Sequence, residues 1–197
     1  MSRFIETICI LNGEIRNLEF HQERFNQTRY KKWGLTDEII LKEHIWLTEN
    51  QKVGKQKCRI LYSETIESVE IIPYSIRNIQ SLKLVENNEI EYRFKSEDRK
   101  AFELMKDSVT EDEIIILKNG QITDTSYSNL VFFDGENWIT PTSFLLNGIM
   151  RQSLLKSGKI KEDEVNPKDL NRFISLKLIN AMMDMDESQE LDISMIC

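Results

Sequence analysis

Lys95 is a side chain whose setting in the sequence suits covalent chemistry. It ends an alternating stretch, EYRFK (residues 91–95), which we predict to be a strand, and it precedes a polar helix start at Ser96. A rigid support of this kind can aim an amine into a cleft, where a lysine of lowered pKa can form a Schiff base with an aldehyde cofactor. Because most lysines are surface groups, a solvated Lys95 is the alternative.

An acid and an amide lie in one short polar loop, within ITDTSYSNLVFF (residues 122–133), at the mouth of a predicted strand. Asp124 could keep the ring nitrogen of pyridoxal phosphate (PLP) protonated, because a nearby carboxylate favours the pyridinium that serves as an electron sink. The alternative is that Asp124 and Asn129 only form turn hydrogen bonds with the local backbone. Chemistry at these two positions leaves both interpretations open.

A phosphate group needs an anion site, and two segments could supply it. In LLNGIMR (residues 145–151), Gly148 allows close approach of the backbone, and Ile149 begins a predicted helix whose first N–H groups point outward. Arg24, on an earlier predicted helix, could pair with phosphate oxygens through two N–H groups. The alternatives are an ordinary helix start and a surface arginine.

Hydrophobic periodicity and turn signals predict the elements that carry these residues. Asn-Gly and Asp-Gly pairs mark three hairpins, and glycines follow two of the predicted helices. Helices are predicted from Glu19 to Trp33, from residue 36 or 37 to 48, after Ser96, from Gly148 and after Pro167. Strands are predicted at 57–63, 67–75 and 81–86 among others, and residues 174–183 are predicted to be a strand that leads into a loop or helix. We predict a smaller N-terminal α/β domain at residues 1–80 and a larger C-terminal cofactor-binding domain at 81–197.

Composition narrows the function classes. The chain has 197 residues, 40% hydrophobic and 30% charged, which is typical of a globular protein large enough to be an enzyme. A net charge of −7 argues against nucleic acid or an anionic membrane as the main partner. Three scattered cysteines and two histidines make a disulfide framework or a multi-histidine metal site hard to assemble. Without a signal peptide or a long apolar run, the cytoplasm is the expected location.

Several segments together resemble the class IV, fold-type IV, PLP-dependent enzymes. The segments are FIETICILNGEIRNLEFHQERF, YRFKSEDR, the block from residue 122 to residue 151, and LINAMM, and they occur in the order found in that family. The family contains branched-chain and D-amino-acid aminotransferases and 4-amino-4-deoxychorismate lyase. The resemblance implies an α+β, two-domain fold like that of D-amino-acid aminotransferase, PLP as the cofactor, and a homodimer with sites near its interface.

The resemblance also implies a role for each matched residue. Lys95, in K-x-x-x-R with Arg99, matches the Schiff-base lysine that shuttles a proton, and Asp124 matches the acid at the pyridine nitrogen. The other matches are Asn129 in the same loop, Arg24 in H-x-x-R with His21 as the phosphate-binding arginine, and Gly148, Ile149 and Asn180 in the phosphate cup. Arg59, on a first-domain strand, is a candidate for the substrate carboxylate.

Two features depart from the family pattern. Members usually carry Glu where this chain has Asp124, so the charge is kept on an arm about one methylene shorter. Members also usually have a strand-rich segment before the equivalent of FIET, where this sequence starts. We therefore expect a shortened N-terminal domain, with part of the substrate pocket altered or completed by a partner subunit.

Three functions follow from the resemblance. The leading one is 4-amino-4-deoxychorismate lyase, which produces 4-aminobenzoate and pyruvate in folate biosynthesis, because NGIMRQ and LINAMM look more like that branch. The alternative is an aminotransferase acting on branched-chain or D-amino acids. The third is a non-catalytic scaffold that retains the fold, against which the joint presence of Lys95, Asp124 and Arg24 argues.

Overall fold

Asn12 and Gly13 form the turn between the first two strands of the chain. In the computed structural model, which describes residues 2–197, both have positive φ angles (50° and 83°) and join β1 (Phe4–Leu11) to β2 (Glu14–Ile15). Adding β3 (Lys55–Tyr62) and β4 (Ile66–Pro73) gives an antiparallel sheet in the order β2-β1-β3-β4. This hairpin confirms the prediction from the Asn-Gly pair.

The helix α1 (Leu18–Trp33) covers the predicted span and ends, as expected, at Gly34 with φ 70°. The helix predicted over residues 36–48 is wrong, because this stretch is extended apart from a 3₁₀ turn at Leu41–His44. Gln22 of α1 supplies a physical reason. Its amide donates to Ile39 O and accepts from Leu41 N, both at 2.8 Å, so it takes backbone groups that a helix would pair internally.

We expect Gln22→Ala to lower the free energy of unfolding by about 1–3 kcal/mol, because two backbone groups lose their partner. Gln27→Ala on the same helix is the matched control, since the Gln27 side chain is exposed and bonds only Glu23 at 3.0 Å. Urea denaturation of both variants measures the difference. Equal stability of the two variants would contradict this account of the extended segment.

The first compact unit comprises residues up to Ile76 together with Phe94–Asp98. Its core lies between α1 and the sheet, where Phe25 and Leu41 pack with residues of β1 and β3. The segment Phe94–Asp98 is paired to β1, because Ile5 N donates to Lys95 O at 2.9 Å and Ser96 forms a bridge with Phe4. The predicted strand at 91–95 is therefore wrong, since residues 91–95 form no strand and the backbone partner of Lys95 is β1.

The second compact unit comprises Arg77–Arg93 and Arg99–Cys197. An eight-stranded sheet contains the path β10-β9-β8-β7-β6-β5, with β11 pairing to β8 and β12 to β11. Most pairs are antiparallel, and β5–β6 and β9–β10 are parallel. The elements are β5 (Leu82–Glu86), α2 (Lys100–Asp107), β6 (Glu113–Lys118), β7 (Gln121–Thr125), β8 (Asn129–Phe133), β9 (Trp138–Pro141), α3 (Ile149–Lys156), β10 (Lys161–Asp163), β11 (Ser175–Ile179) and β12 (Leu191–Asp192), with 3₁₀ turns at Pro167–Arg172 and Ile193–Met195.

Most predicted elements of the second unit are present, including the Asn119-Gly120 and Asp134-Gly135 hairpins and the helix after Gly148. The strand predicted at residues 81–86 is present as β5, which pairs with β6 of this unit and does not belong to the first sheet. The division into domains at residue 80 stays a prediction. None of the helices within residues 2–197 is long and apolar enough to cross a membrane.

Candidate active site

A buried carboxylate on β1 holds the arginine that was predicted to bind phosphate. Glu6 Oε1 accepts from Arg24 Nε at 2.9 Å, and Glu6 Oε2 accepts from Arg24 Nη2 at 2.5 Å. His21, one turn earlier on α1, places its Nδ1 atom 2.6 Å from Glu6 Oε2. The side chains of Glu6 and His21 are fully buried, and that of Arg24 is 14% exposed. The cluster therefore holds the guanidinium in one orientation.

The charges of this cluster follow from burial and pairing. Burial would raise the pKa of Glu6, but the Arg24 charge and the bonds from His21 and Arg24 outweigh it and lower that pKa to about 2. Burial lowers the pKa of His21 against the bond and charge of Glu6, with smaller lowering contributions from the charges of Arg24 and Lys95. At neutral pH Glu6 is thus an anion, and His21 is a neutral imidazole that donates through Nδ1–H.

Lys95 lies on the segment Phe94–Asp98 of the first unit, and it is half-buried. Its carbonyl is bonded to β1, and the next backbone contact joins Glu97 N to Arg3 O at 3.0 Å. Phe94, immediately before it, packs against the core of this unit and forms a T-shaped contact with Phe4 at 6.0 Å between ring centroids. The lysine therefore has support on both sides, although it does not end a strand.

Arg59, the candidate for the substrate carboxylate, is engaged in an ion pair. Its Nη2 atom lies 3.0 Å from Glu97 Oε1, and Arg3 lies 3.7 Å from the other oxygen of Glu97. Arg3 also pairs with Glu67 at 3.0 Å. The side chains of Arg59 and Glu97 are about one-third exposed. Substrate binding by Arg59 stays a prediction.

The loop residues Asp124 and Asn129 of the second unit meet directly. They are paired across β7 and β8, and Asn129 Nδ2 donates to Asp124 Oδ1 at 2.8 Å. The tight turn between them is closed by Thr125, whose N–H donates to Ser128 O at 2.8 Å. Asn129 Nδ2 also donates to Leu146 O at 2.9 Å, so the pair is tied to the loop that precedes α3.

The Asp124 carboxyl is buried among hydrogen-bond donors. Its Oδ2 accepts from Leu146 N at 2.9 Å and from Leu145 N at 3.2 Å, in addition to the bond from Asn129 to Oδ1. A carboxylate offers about four acceptor positions, so three donors from residues 2–197 leave one on Oδ1. Burial raises the pKa of Asp124 to about 7, against those three donors and the charge of Arg151. The site thus holds an acid that an additional cation would convert fully to its charged form.

Gly148 directly precedes α3, and its lack of a side chain is required by the Asn129 amide. A Cβ atom at this position would lie 2.0 Å from Asn129 Oδ1. Its φ of −68° is ordinary, so the requirement is steric and does not come from backbone strain. Arg151 of α3 donates to Asn147 Oδ1 at 3.1 Å and to Pro141 O at 3.0 Å, and it also pairs with Glu162. These contacts hold the start of α3 against the loop.

Gly148→Ala is expected to lower the free energy of unfolding by about 1–3 kcal/mol, because Asn129 must leave its bond to Asp124 to make room. Thermal unfolding measures the loss. In an Asn129→Ala background the clash is absent, so the same glycine substitution should cost much less. An equal cost in both backgrounds would locate the strain elsewhere.

Asn180 and Ile149, the other predicted cup residues, occupy different settings. Asn180 Nδ2 donates to Ser128 Oγ at 2.9 Å and its Oδ1 accepts from Met182 N at 2.8 Å, so this side chain braces the turn after Asp124. Ile149 is buried as the first residue of α3. The second unit therefore brings Asp124, Asn129 and Gly148 together, with Asn180 attached through Ser128.

Three side chains organise these clusters in ways that the sequence did not predict. Glu6 holds Arg24, Arg151 holds the start of α3, and Arg99 donates to Ser126 O in the turn after Asp124 while also bonding Tyr92 at 3.2 Å. Glu6 left a signal, because an acid inside the apolar strand FIETICIL is expensive to bury without a partner. Arg99 lies in the polar run SEDRK and Arg151 in a predicted helix, where an arginine gives no comparable signal.

Comparison with known proteins identifies the family. The model of the class IV amino-transferases matches residues 3–186. An uncharacterized protein of Haemophilus influenzae is 34% identical over 185 residues, which cover 92% of this chain and 98% of that protein. A crystal structure from Haemophilus somnus 129PT, provisionally assigned as a 4-amino-4-deoxychorismate lyase, has 30% identity and a TM-score of 0.86, with 94% of this chain and 98% of that chain covered.

A more distant structure confirms the fold. It is the PLP-bound form of a hypothetical aminotransferase from Mycobacterium tuberculosis, with 14% identity, a TM-score of 0.75, and coverage of 96% of this chain and 80% of that one. The predicted α+β, fold-type IV architecture and the prediction of an enzyme are both confirmed. The chain therefore belongs to the class IV aminotransferase family of PLP-dependent enzymes.

Proposed function

We propose that this chain binds PLP and acts as a 4-amino-4-deoxychorismate lyase, which releases pyruvate and 4-aminobenzoate for folate biosynthesis. The observation that carries PLP binding is the Asp124 carboxyl, buried with three donors, a remaining acceptor position on Oδ1 and a pKa of about 7. A protonated pyridine nitrogen carries a positive charge and one N–H donor. It would fill the remaining acceptor position of this carboxyl and stabilise its charged form. The donor set therefore fits this ring.

Other residues fit the rest of the cofactor. Arg24, oriented by Glu6, would take the phosphate, together with backbone N–H groups of Gly148 and Ile149 at the start of α3. Lys95 would hold the aldehyde carbon covalently until the substrate amine takes its place there, and the freed lysine amine would move a proton at the substrate carbon. Asn129 would keep Asp124 in place, and Asn180 would support the turn between them through Ser128.

The chemistry divides between cofactor and protein. When bound, PLP supplies the electron sink for the bond-breaking steps. The protein keeps the ring-nitrogen proton through Asp124 and carries the substrate proton on the Lys95 amine. Amino-group transfer and pyruvate release share these two residues, so the substrate pocket decides which reaction follows.

Support for the lyase comes from the Haemophilus somnus relative, which carries that provisional assignment at 30% identity and is spanned over 98% of its length. The segments NGIMRQ and LINAMM favour the same branch. The alternative is an aminotransferase acting on branched-chain or D-amino acids, since amino-group transfer is the activity for which the class IV family is named. Both reactions need Lys95, so variants of that residue do not distinguish them.

An assay with two substrates distinguishes the reactions. Purified protein loaded with PLP is incubated with 4-amino-4-deoxychorismate, and pyruvate and 4-aminobenzoate are followed together. The lyase predicts equal amounts of both products without an added keto acid. The protein would instead be an aminotransferase if it released no pyruvate from aminodeoxychorismate but exchanged amino groups between an amino acid and a keto acid. Failure to take up PLP at all would favour the non-catalytic scaffold.

We propose that the active form is a homodimer, because the family resemblance implies sites near a homodimer interface. The proposed location is the cytoplasm. Light scattering should give twice the chain mass of 23.3 kDa. A monomer with full turnover would refute the dimer without affecting the assignment of the reaction.

A further inference from the structure

The geometry points to Glu6 as the positioning residue for Arg24, with His21 holding Glu6, so that the guanidinium is set for the cofactor phosphate before PLP arrives. This inference rests on the proposed PLP binding. It concerns a residue that the motif resemblance does not assign. Its basis is the set of contacts between β1 and α1 within the first unit.

The contact between Glu6 and Arg24 uses one edge of the guanidinium. Nε and Nη2 donate to the two oxygens of one carboxylate, at 2.9 and 2.5 Å. Because a guanidinium is a rigid planar fork with five N–H groups, two such bonds fix the plane and direction of the whole group. A side chain with several rotatable bonds is thereby held in one geometry.

His21 stops Glu6 from turning. Its Nδ1–H donates to Glu6 Oε2, the same oxygen that accepts from Arg24 Nη2. The other ring nitrogen, Nε2, is buried and has no hydrogen-bond partner among residues 2–197. Burial of an unpaired polar atom is unfavourable, so the bond at Nδ1 is the interaction that accounts for a histidine here. The buried side chains of Glu6 on β1 and His21 on α1 thus together orient Arg24.

Two effects of Glu6 on phosphate binding oppose each other. Its charge lowers the positive potential that Arg24 presents, which weakens attraction for an anion. Its bonds keep Arg24 ordered, which removes the entropy cost of fixing a long side chain at binding. Orientation outweighs potential here, because Arg24 is only 14% exposed, and without Glu6 a mostly buried guanidinium would lose its counter-ion and move toward water.

The test compares PLP with pyridoxal, which lacks the phosphate, in wild type and in Glu6→Gln. Dissociation constants are obtained from absorbance titrations of cofactor-free protein. We expect Glu6→Gln to bind PLP about tenfold more weakly, which corresponds to about 1.4 kcal/mol, and to bind pyridoxal as the wild type does. Glu23→Gln is the control, because Glu23 lies on the exposed face of α1, the helix that carries Arg24, and it should change neither constant.

Further variants make the result specific to Arg24. In an Arg24→Ala background, Glu6→Gln should have no additional effect on PLP affinity, because the group that it positions is absent. If Glu6→Gln does not fold, Glu6→Asp gives the same comparison, since it keeps the buried charge but its shorter arm cannot make both contacts.

Three outcomes would overturn the inference. Unchanged or tighter PLP binding in the folded Glu6 variant would show that the negative charge of Glu6 weakens phosphate binding at least as much as its ordering of Arg24 strengthens it. Equal weakening of PLP and pyridoxal would show a general structural effect of Glu6. Failure of the wild type to bind PLP would overturn the proposed function as well, whereas the first two outcomes leave that function standing.

Discussion

Lys95→Ala is expected to lower turnover by about 10³-fold or more, because in the proposed function the amine both links the cofactor and carries the substrate proton. The folded structure should persist, since the backbone bond from Ile5 N to Lys95 O does not involve the side chain. Borohydride reduction of PLP-loaded wild type, followed by peptide mass spectrometry, should find the cofactor on Lys95. The same treatment of the variant should find none there.

Lys168→Ala is the matched control for this experiment, because Lys168 is exposed on the 3₁₀ turn Pro167–Arg172. It should retain turnover and labelling. An added small amine should partly restore turnover to Lys95→Ala, because it can accept the proton that the lysine carried. Wild-type turnover in Lys95→Ala, or labelling of another lysine, would remove Lys95 from the proposed chemistry.

Asp124→Asn is expected to lower turnover by about 10²–10³-fold, because in the proposed function Asp124 is the fixed charge at the place where the protonated ring nitrogen is held. An amide also fits the site poorly. Leu145 N, Leu146 N and Asn129 Nδ2 all donate to this carboxyl, and the amide nitrogen of an asparagine would face one of these donors. The absorbance band of bound PLP should shift as well, since the ring nitrogen loses its partner.

The same residue makes the stability of the cofactor-free protein depend on pH. Burial raises the pKa of Asp124 from 3.8 to about 7, so between these values the folded protein keeps a proton that the unfolded chain has released. The stability contributed by this group is therefore lost as pH rises from about 4 to about 7, by about 4 kcal/mol at most. His21 and Glu6, whose pKa values are lowered by folding, contribute the opposite pH dependence to wild type and Asp124→Asn alike. The difference in unfolding free energy between the two cofactor-free proteins, measured by urea denaturation, should therefore fall across this range.

Asp107→Asn, on the exposed end of α2, is the control for both measurements and should match the wild type. Asp124→Glu keeps the charge that family members usually carry at this position, so its turnover should exceed that of Asp124→Asn. Intact turnover and an unchanged cofactor spectrum in Asp124→Asn would return Asp124 and Asn129 to a role as turn residues only.

Features that depend on neighbouring residues were predictable from the sequence. The Asn-Gly turn after β1 and the end of α1 at Gly34 each need a positive φ angle, which asparagine and glycine adopt at low cost. The spacing of apolar residues along α1 likewise reports a local helix. The extended segment after α1 was not predictable in this way, because Gln22, nearly twenty residues away, takes its backbone partners.

The sequence by itself determined the family and the candidate site residues, because the family's motifs occur along the chain in their usual order. Only the tertiary structure decided how each candidate is held. The pairing of Lys95 with β1, the two bonds from Arg24 to Glu6 and the donors around Asp124 join residues far apart in the chain. Contacts at such separations depend on how strands and helices pack, which local sequence patterns do not encode.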